Sequence, residues 1–317
     1  MDELHRFVFE GLPVRGMLVR LDDSWREMIE RRGESPHPAP VRTLLGEMVA
    51  AGVLMQANIK FGGALILQMS GDGPVKLAVA EVQPDLRFRG TASVVGELGA
   101  DAQLQDMLNL HGQGRCAITL DPQPRLPGQQ PYQGLVPLHG DRREPLQRLS
   151  QVLEHYMLQS EQLDTRLVLA ADDRVAAGLL IQRLPVEGPS RMSGERNEDQ
   201  IGLNEDFNRI AHLAATLSGE ELRTLDVETV LHRLFHEERL TRFEPQHPRF
   251  VCSCTRERVR GMLLGLGQAE VDSIVAERGD VEVGCEFCGR MYRFDAVDVG
   301  EMFTPGRDQP AAPTSLQ

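Results

Sequence analysis

Apolar positions change period along the chain, and the changes predict a succession of strands and helices. Residues 7–9 and 14–21 are rich in β-branched and aromatic side chains and predict two strands. Residues 24–32 predict a helix, and 33–40, with three prolines, a loop. In 41–54, Val41, Leu44, Leu45, Met48 and Val49 recur at the spacing of one helix face. Two apolar runs, 64–69 and 75–79, flank Ser70-Gly71-Asp72-Gly73-Pro74 and predict a hairpin. Glycine is expected to supply positive φ at that turn, and since no helix follows, its glycines are read as structural rather than as a phosphate cradle. Residues 121–137 hold five prolines, 151–163 predict a helix, and 167–170 and 179–184 predict further strands.

Residues 185–200 break the pattern with glycine, proline, serine and charge, the composition of a linker or exposed loop. Helical spacing resumes at Phe207, Ile210, Leu213, Ala214 and Leu217, and Ser218-Gly219-Glu220-Glu221 fits a capping box. Val227, Val230, Leu231, Leu234 and Phe235 form the sharpest amphipathic stripe in the chain. A stripe of that kind must be covered, and an apolar face of the N-terminal domain is its expected partner. The fold expected is therefore α+β. A mixed antiparallel-sheet and helix domain occupies 1–184, and a loop and acidic helical linker 185–249. A small cysteine-bearing domain occupies 250–303, followed by a disordered tail at 304–317.

Composition narrows the function. The net charge is −13, and residues 195–244 carry 12 acids against six bases. Acidity disfavours phosphate backbones, so nucleic acid is not an expected partner. No apolar run approaches the roughly 20 residues of a membrane span, so no membrane partner is expected. The first residues, Met1-Asp2-Glu3-Leu4-His5-Arg6, lack the basic head and apolar stretch of a secretory signal, which points to the cytoplasm. The 32 arginines against Lys60 and Lys76 reflect genome composition and carry no function. His232 and His236 stand four apart, but no glutamate follows the first, so the metalloprotease pattern is absent and the pair reads as a solvated helix face.

The chemistry lies in the cysteines. Cys116 is isolated and reads as an inert core thiol. Cys252 and Cys254 are followed, 30 residues later, by Cys285 and Cys288, two close pairs that suit a tetrahedral four-cysteine zinc site. Zinc is favoured over an iron–sulfur cluster, whose spacings this unit lacks. A one-residue gap would put Cys252 and Cys254 on one side of an extended strand. Gly284 and Gly289 allow a tight turn around the second pair. Two short helices and a hairpin near 281–283 and 292–294 complete the unit. A domain of this size barely folds on its own core. Structural zinc contributes about 10–16 kcal/mol against about 5–15 for a whole domain. Loss of the metal should therefore unfold it. Zinc thiolates are also ready nucleophiles for peroxide, so the site has the chemistry of a switch.

This pattern resembles the redox-regulated holdase family, the thirty-three-kilodalton heat-shock chaperones of bacteria. The resemblance rests on Cys252, Cys254, Cys285 and Cys288 with their surroundings. These are Phe235-His236-Glu237-Glu238, Cys254-Thr255-Arg256-Glu257-Arg258, Glu270-Val271-Asp272-Ser273-Ile274 and Cys285-Glu286-Phe287-Cys288-Gly289. Looser likeness covers Leu4-His5-Arg6, Val14-Arg15-Gly16, Gly71-Asp72-Gly73-Pro74 and Gln162-Leu163-Asp164-Thr165-Arg166. The resemblance implies a chaperone rather than an enzyme, latent when reduced and zinc-bound. It implies that oxidation pairs Cys252 with Cys254 and Cys285 with Cys288, releases zinc, and unfolds the zinc domain and linker. It further implies ATP-independent binding of unfolding client proteins, often as a homodimer, with later transfer to ATP-dependent chaperones. Two other classes remain. A zinc nucleic-acid module should be basic, yet residues 249–295 hold seven arginines against eight acids. A thiol–disulfide oxidoreductase should carry Cys285 and Cys288 at the start of a helix, where glycine and a strand are expected.

Overall fold

The computed structural model describes residues 2–33, 36–124, 126, 128–185 and 204–304. Most of the expected linker loop at 185–200, and the tail beyond Thr304, lie outside the described residues. The chain forms two compact units, Met1–Val251 and Cys252–Gln317.

The first unit is organised around helix α2 (Ala39–Asn58), which buries 13 of its 20 residues. The sequence reads this helix as amphipathic, with one apolar face. It is instead buried on opposite sides, because a sheet packs on each side of it. One sheet comprises β1 (Glu3–Phe9), β2 (Val14–Leu21), β8 (Thr165–Ala171), β9 (Ala176–Arg183) and β10 (Leu240–Arg242), in the order β10-β1-β2-β9-β8. The other comprises β3 (Gly63–Ser70), β4 (Val75–Val82), β5 (Arg87–Val94), β6 (Arg115–Pro122), β7 (Tyr132–Pro137) and β11 (Arg249–Phe250), in the order β11-β5-β4-β3-β6-β7. Helices α1 (Asp23–Glu30), α3 (Leu104–Leu108) and α4 (Leu149–Glu161) complete the α+β architecture.

The β3–β4 turn is structural, but neither Gly71 nor Gly73 takes the expected positive φ; its glycines answer instead to a close approach. A Cβ on Gly71 would lie 1.7 Å from the Leu108 carbonyl oxygen at the end of α3, and one on Gly73 2.3 Å from that of Met107. The Asp72 N–H donates to the same Leu108 oxygen at 3.2 Å. Any side chain there would push the turn off α3.

Three short helices cover the far face of the first sheet: α5 (Glu205–Ala215), α6 (Gly219–Thr224) and α7 (Val227–Phe235). Each starts on a side-chain cap, from Asn204, Ser218 and Asp226, and the Ser218–Glu221 capping box forms as its sequence signature predicts. Phe207, Ile210, Ala214, Leu217, Leu222, Val230, Leu231, Leu234 and Phe235 bury against Phe7, Phe9, Val14, Leu18, Leu179 and Ile181. The Phe235 ring meets Phe9 edge-on at 5.1 Å. Polar contacts frame this apolar seal. Arg20 of β2 donates to the carbonyls of Arg223 and Leu225, at 2.8 and 3.2 Å, where α6 ends. Arg223 pairs with Asp172 at 3.2 Å. Both guanidinium NH2 nitrogens of Arg242 reach the Glu228 carboxylate at 2.6 Å.

Glu47 of α2 lines a cavity of about 310 Å3 together with Thr43, Gln103 and Arg148. Burial pushes its carboxyl up to about 7, against the opposing pull of Arg148 and Arg223. A carboxyl raised in the folded state contributes stability that is fully present below its unfolded pKa of about 4.5 and lost as pH rises through about 7. Residual solvent contact along the cavity screens the charge, so the contribution is on the order of 1–2 kcal/mol. Glu47→Gln should therefore be more stable than the parent at pH 8 and similar to it at pH 4.5. Urea denaturation at the two pH values checks this; a difference independent of pH would exclude Glu47 as the source.

Candidate metal centre

The second unit contains α8 (Arg256–Leu266), α9 (Gln268–Arg278), β12 (Asp280–Gly284), β13 (Met291–Asp295) and α10 (Ala296–Phe303). The two helices end at Gly267 (φ +90°) and Gly279 (φ +88°), where positive φ favours glycine. Its core is Leu263, Val271, Val281, Tyr292, Phe294, Val299 and Met302. The last two come from α10, which the sequence reading does not anticipate. The helix starts on Asp295, whose carboxylate accepts from the Val297 and Asp298 N–H groups.

Cys285 and Cys288 lie in the tight turn between β12 and β13. The Cys285 N–H donates to the Arg290 carbonyl at 2.9 Å, and the Gly289 N–H returns to the Cys285 carbonyl at 2.7 Å. Gly289 holds φ +69°, so the expected glycine-assisted turn is present. The first pair departs from expectation. Cys252 and Cys254 sit on irregular chain rather than on a strand, because residues 252–255 have no strand partner and lead straight into α8. Thr255 caps that helix, and Arg258 ties the turn by donating to the Ser253 carbonyl at 2.9 Å.

These two loops bring four sulfurs within 4.8 Å of one another. Cys252 Sγ is 3.6 Å from Cys285 Sγ, and Cys254 Sγ is 3.4 Å from Cys288 Sγ. All four are free thiols. The separations far exceed the roughly 2.05 Å of a disulfide. They approach the roughly 3.8 Å edge of a tetrahedron built on Zn–S bonds of about 2.3 Å. The donor set and its spacing fit a zinc ion, and this is the one group of three or more such side chains among the described residues that could hold a metal. His232 on α7 and His236 just past its end, with ring centres 5.8 Å apart, lie exposed without a third ligand among the described residues.

The four thiols are electrostatically unequal. Burial opposes ionisation of Cys254, but hydrogen bonds from the Tyr292 hydroxyl, at 3.2 Å, and from the other three thiols outweigh it and bring the group down to about 7. Burial raises Cys252 and Cys288. Tyr292, which donates to Cys254, is itself pushed up to about 12. This tyrosine contact escaped the sequence reading. The alternation that places Tyr292 and Phe294 on a strand is legible, but a partner 38 residues away is not. Arg256 is a second omission. It covers the Phe294 ring at 4.2 Å and pairs with Asp298 at 2.8 Å, tying α8 to α10. Cys116, in β6 of the first unit, is fully buried and pushed up to about 12, as an inert core thiol should be.

Seven buried side chains are a small core for an independent unit. Cys288→Ser should abolish stoichiometric zinc binding. It should also collapse hydrogen-exchange protection across 256–303 while leaving α2 protected. Undiminished protection in 256–303 would show that the core stands without metal.

Comparison with known proteins places the chain. A family model described as Hsp33 protein matches residues 2–295. The 33 kDa chaperonin of Chromobacterium violaceum is 45% identical over 303 residues, covering 95% of this chain and 94% of that protein. The 33 kDa chaperonin of Neisseria meningitidis is 41% identical over 301 residues, covering 94% and 90%. In fold, the chain is similar to the crystal structure of the 33 kDa chaperonin of Thermotoga maritima, with a TM-score of 0.71 at 21% identity over 95% of this chain and 98% of that one.

Proposed function

The chain belongs to the Hsp33 family of chaperones, and on that basis we propose that it is a redox-regulated, ATP-independent holdase rather than an enzyme. The observation that carries this reading is the gathering of four free thiols in a unit with so small a core. In the latent form Cys252, Cys254, Cys285 and Cys288 hold one zinc ion. When bound, that ion keeps the thiols deprotonated and ties the two loops together.

Peroxide then takes two electrons from each pair of thiolates, giving one disulfide per peroxide, and two protons from solvent complete two waters. Pairing is within each loop, Cys252 with Cys254 and Cys285 with Cys288. In the reduced fold the shorter separations run between the loops, but a bond between partners close along the chain closes the smaller ring at the lower entropic cost. Loss of the ligands unfolds the zinc unit and then α5–α7. The exposed Phe207-to-Phe235 stripe and the sheet face beneath it bind the apolar segments of unfolding client proteins. The acidic surplus of 195–244 keeps the opened chain soluble. Oxidised chains act as homodimers and pass clients to ATP-dependent chaperones when reductant returns. Such thiol chemistry suits the cytoplasm, and no described helix is long and apolar enough to cross a membrane. A thiol–disulfide oxidoreductase is a poorer fit, because Cys288 is followed by Gly289 and β13 rather than by a helix.

Two outcomes follow. Peroxide added to the reduced chain should release one zinc, read with a chromogenic chelator, and confer suppression of citrate synthase aggregation in the same sample. Zinc retained under strong oxidant, or aggregation unaffected after release, sinks the switch. Leu231→Asp with Leu234→Asp should undock α7, because two buried carboxylates cost several kcal/mol. That variant should suppress aggregation without oxidant, and unchanged latency would count against docking as the latch.

A further inference from the structure

The first cysteine pair meets two different surroundings. Cys254 packs against the core of the second unit, and the Tyr292 hydroxyl donates to its Sγ at 3.2 Å. The tyrosine is held in place for this contact. It is only 5% exposed, sits opposite Val283 in the β12–β13 hairpin, and has the Arg290 guanidinium 5.4 Å from the centre of its ring. Cys252 is half-buried and faces Cys285 instead, 3.6 Å away. Its donor is the main-chain N–H of Cys254.

The two donors differ in kind. A phenol is a more acidic donor than a main-chain amide, so its bond to an anionic sulfur is the stronger. Once zinc holds the four sulfurs as thiolates, ionisation no longer ranks them. What ranks them is the electron density that each sulfur keeps, because a thiolate loses nucleophilicity as its charge is stabilised. A group that hydrogen-bonds to a metal ligand thereby tunes that ligand's chemistry. Of the two sulfurs in this pair, Cys254 is the more restrained.

We propose that Tyr292 is a positioning residue for oxidation: its hydroxyl restrains Cys254, so that Cys252 attacks peroxide and Cys254 resolves. In the first step the Cys252 thiolate attacks one peroxide oxygen. An S–O bond forms, the O–O bond breaks and hydroxide leaves, which makes Cys252 a sulfenic acid. In the second step the Cys254 thiolate attacks the Cys252 sulfur. The S–S bond forms, the S–O bond breaks and a second hydroxide leaves. Two protons from solvent turn both hydroxides into water. The assignment rests on the redox-switch reading and adds to it which sulfur of the pair acts first.

The test uses the full reduced, zinc-loaded chain. A brief, sub-stoichiometric pulse of iodoacetamide, followed by peptide mass spectrometry, reads how nucleophilic each sulfur is. Cys252 should be alkylated about fivefold more than Cys254, and Tyr292→Phe should bring the two within about twofold, the worth of part of a charge-assisted hydrogen bond. That variant deletes one oxygen and keeps the ring. It should release zinc to peroxide about threefold faster than the parent. It should surrender zinc to a chelator, without oxidant, at the parent rate. Equal acceleration under chelator and peroxide would make Tyr292 a packing residue and overturn the proposal, as would no acceleration under peroxide. The unaltered chain provides a test that needs no variant, since Cys254 alkylated as readily as Cys252 also overturns it. Citrate synthase aggregation is followed in the peroxide-treated samples. The expected alkylation and zinc rates without suppression of aggregation would leave the role of Tyr292 standing and remove the holdase reading.

Discussion

A sheet that is apolar on both faces needs a cover on each, and in the first unit that requirement organises everything else. β9 buries all eight of its residues, so neither face of its sheet can meet water. Helix α2 serves one face permanently, wedged between two sheets. The other face depends on three helices of 11, six and nine residues. None is long enough to be stable alone, so each exists because the sheet is there to receive it. Sheet and helices shield one another, so the winding of the three helices and the covering of the sheet depend on each other.

The second unit rests on a different constraint. Its two thiol-bearing loops come from parts of the chain about 30 residues apart, and besides the sulfurs they are joined by the Tyr292 contact with Cys254 and by Arg256, which donates to the Arg293 carbonyl at 2.7 Å. The Gly289 turn is rigid by its own hydrogen bonds, whereas the Cys252–Cys254 segment has no ladder and is tied by Arg258. A metal joining a rigid loop to a loosely held one contributes most where the polypeptide contributes least. The inequality among the thiols has a separate source: the cysteine facing Tyr292 is the one whose charge the fold supports, while Cys252 of the same loop is raised by burial.

Much of this was legible in the residues, for reasons that can be named. The cysteine quartet, the β3–β4 turn, the capping box at Ser218 and the stripe at 227–235 are all local signals. Spacing alone specifies them. What escaped depends on distant partners. α2 looks amphipathic over 41–54 because periodicity cannot reveal a second sheet on its far side. The role of Gly71 comes from the backbone of α3, not from its own φ. The contact of Tyr292 with Cys254, the lid of Arg256 on Phe294, and the pairing of 249–250 with β5 each join segments tens to hundreds of residues apart. α10 was missed because it is only eight residues long, with a glycine inside it, and its cap, Asp295, doubles as the last residue of a strand.

Arg20 has a consequence of its own. Its two acceptors at the end of α6 are main-chain carbonyls, so no side-chain replacement at Arg223 or Leu225 can delete them. They are correctly placed only while α6 is wound. The guanidinium therefore reads the conformation of that segment and is indifferent to its identity. Sequence drift in α6 is tolerated as long as the helix forms, whereas a single melted turn withdraws both acceptors together. Folding of the helix and its attachment to the sheet are in this respect one event, recognised by one arginine.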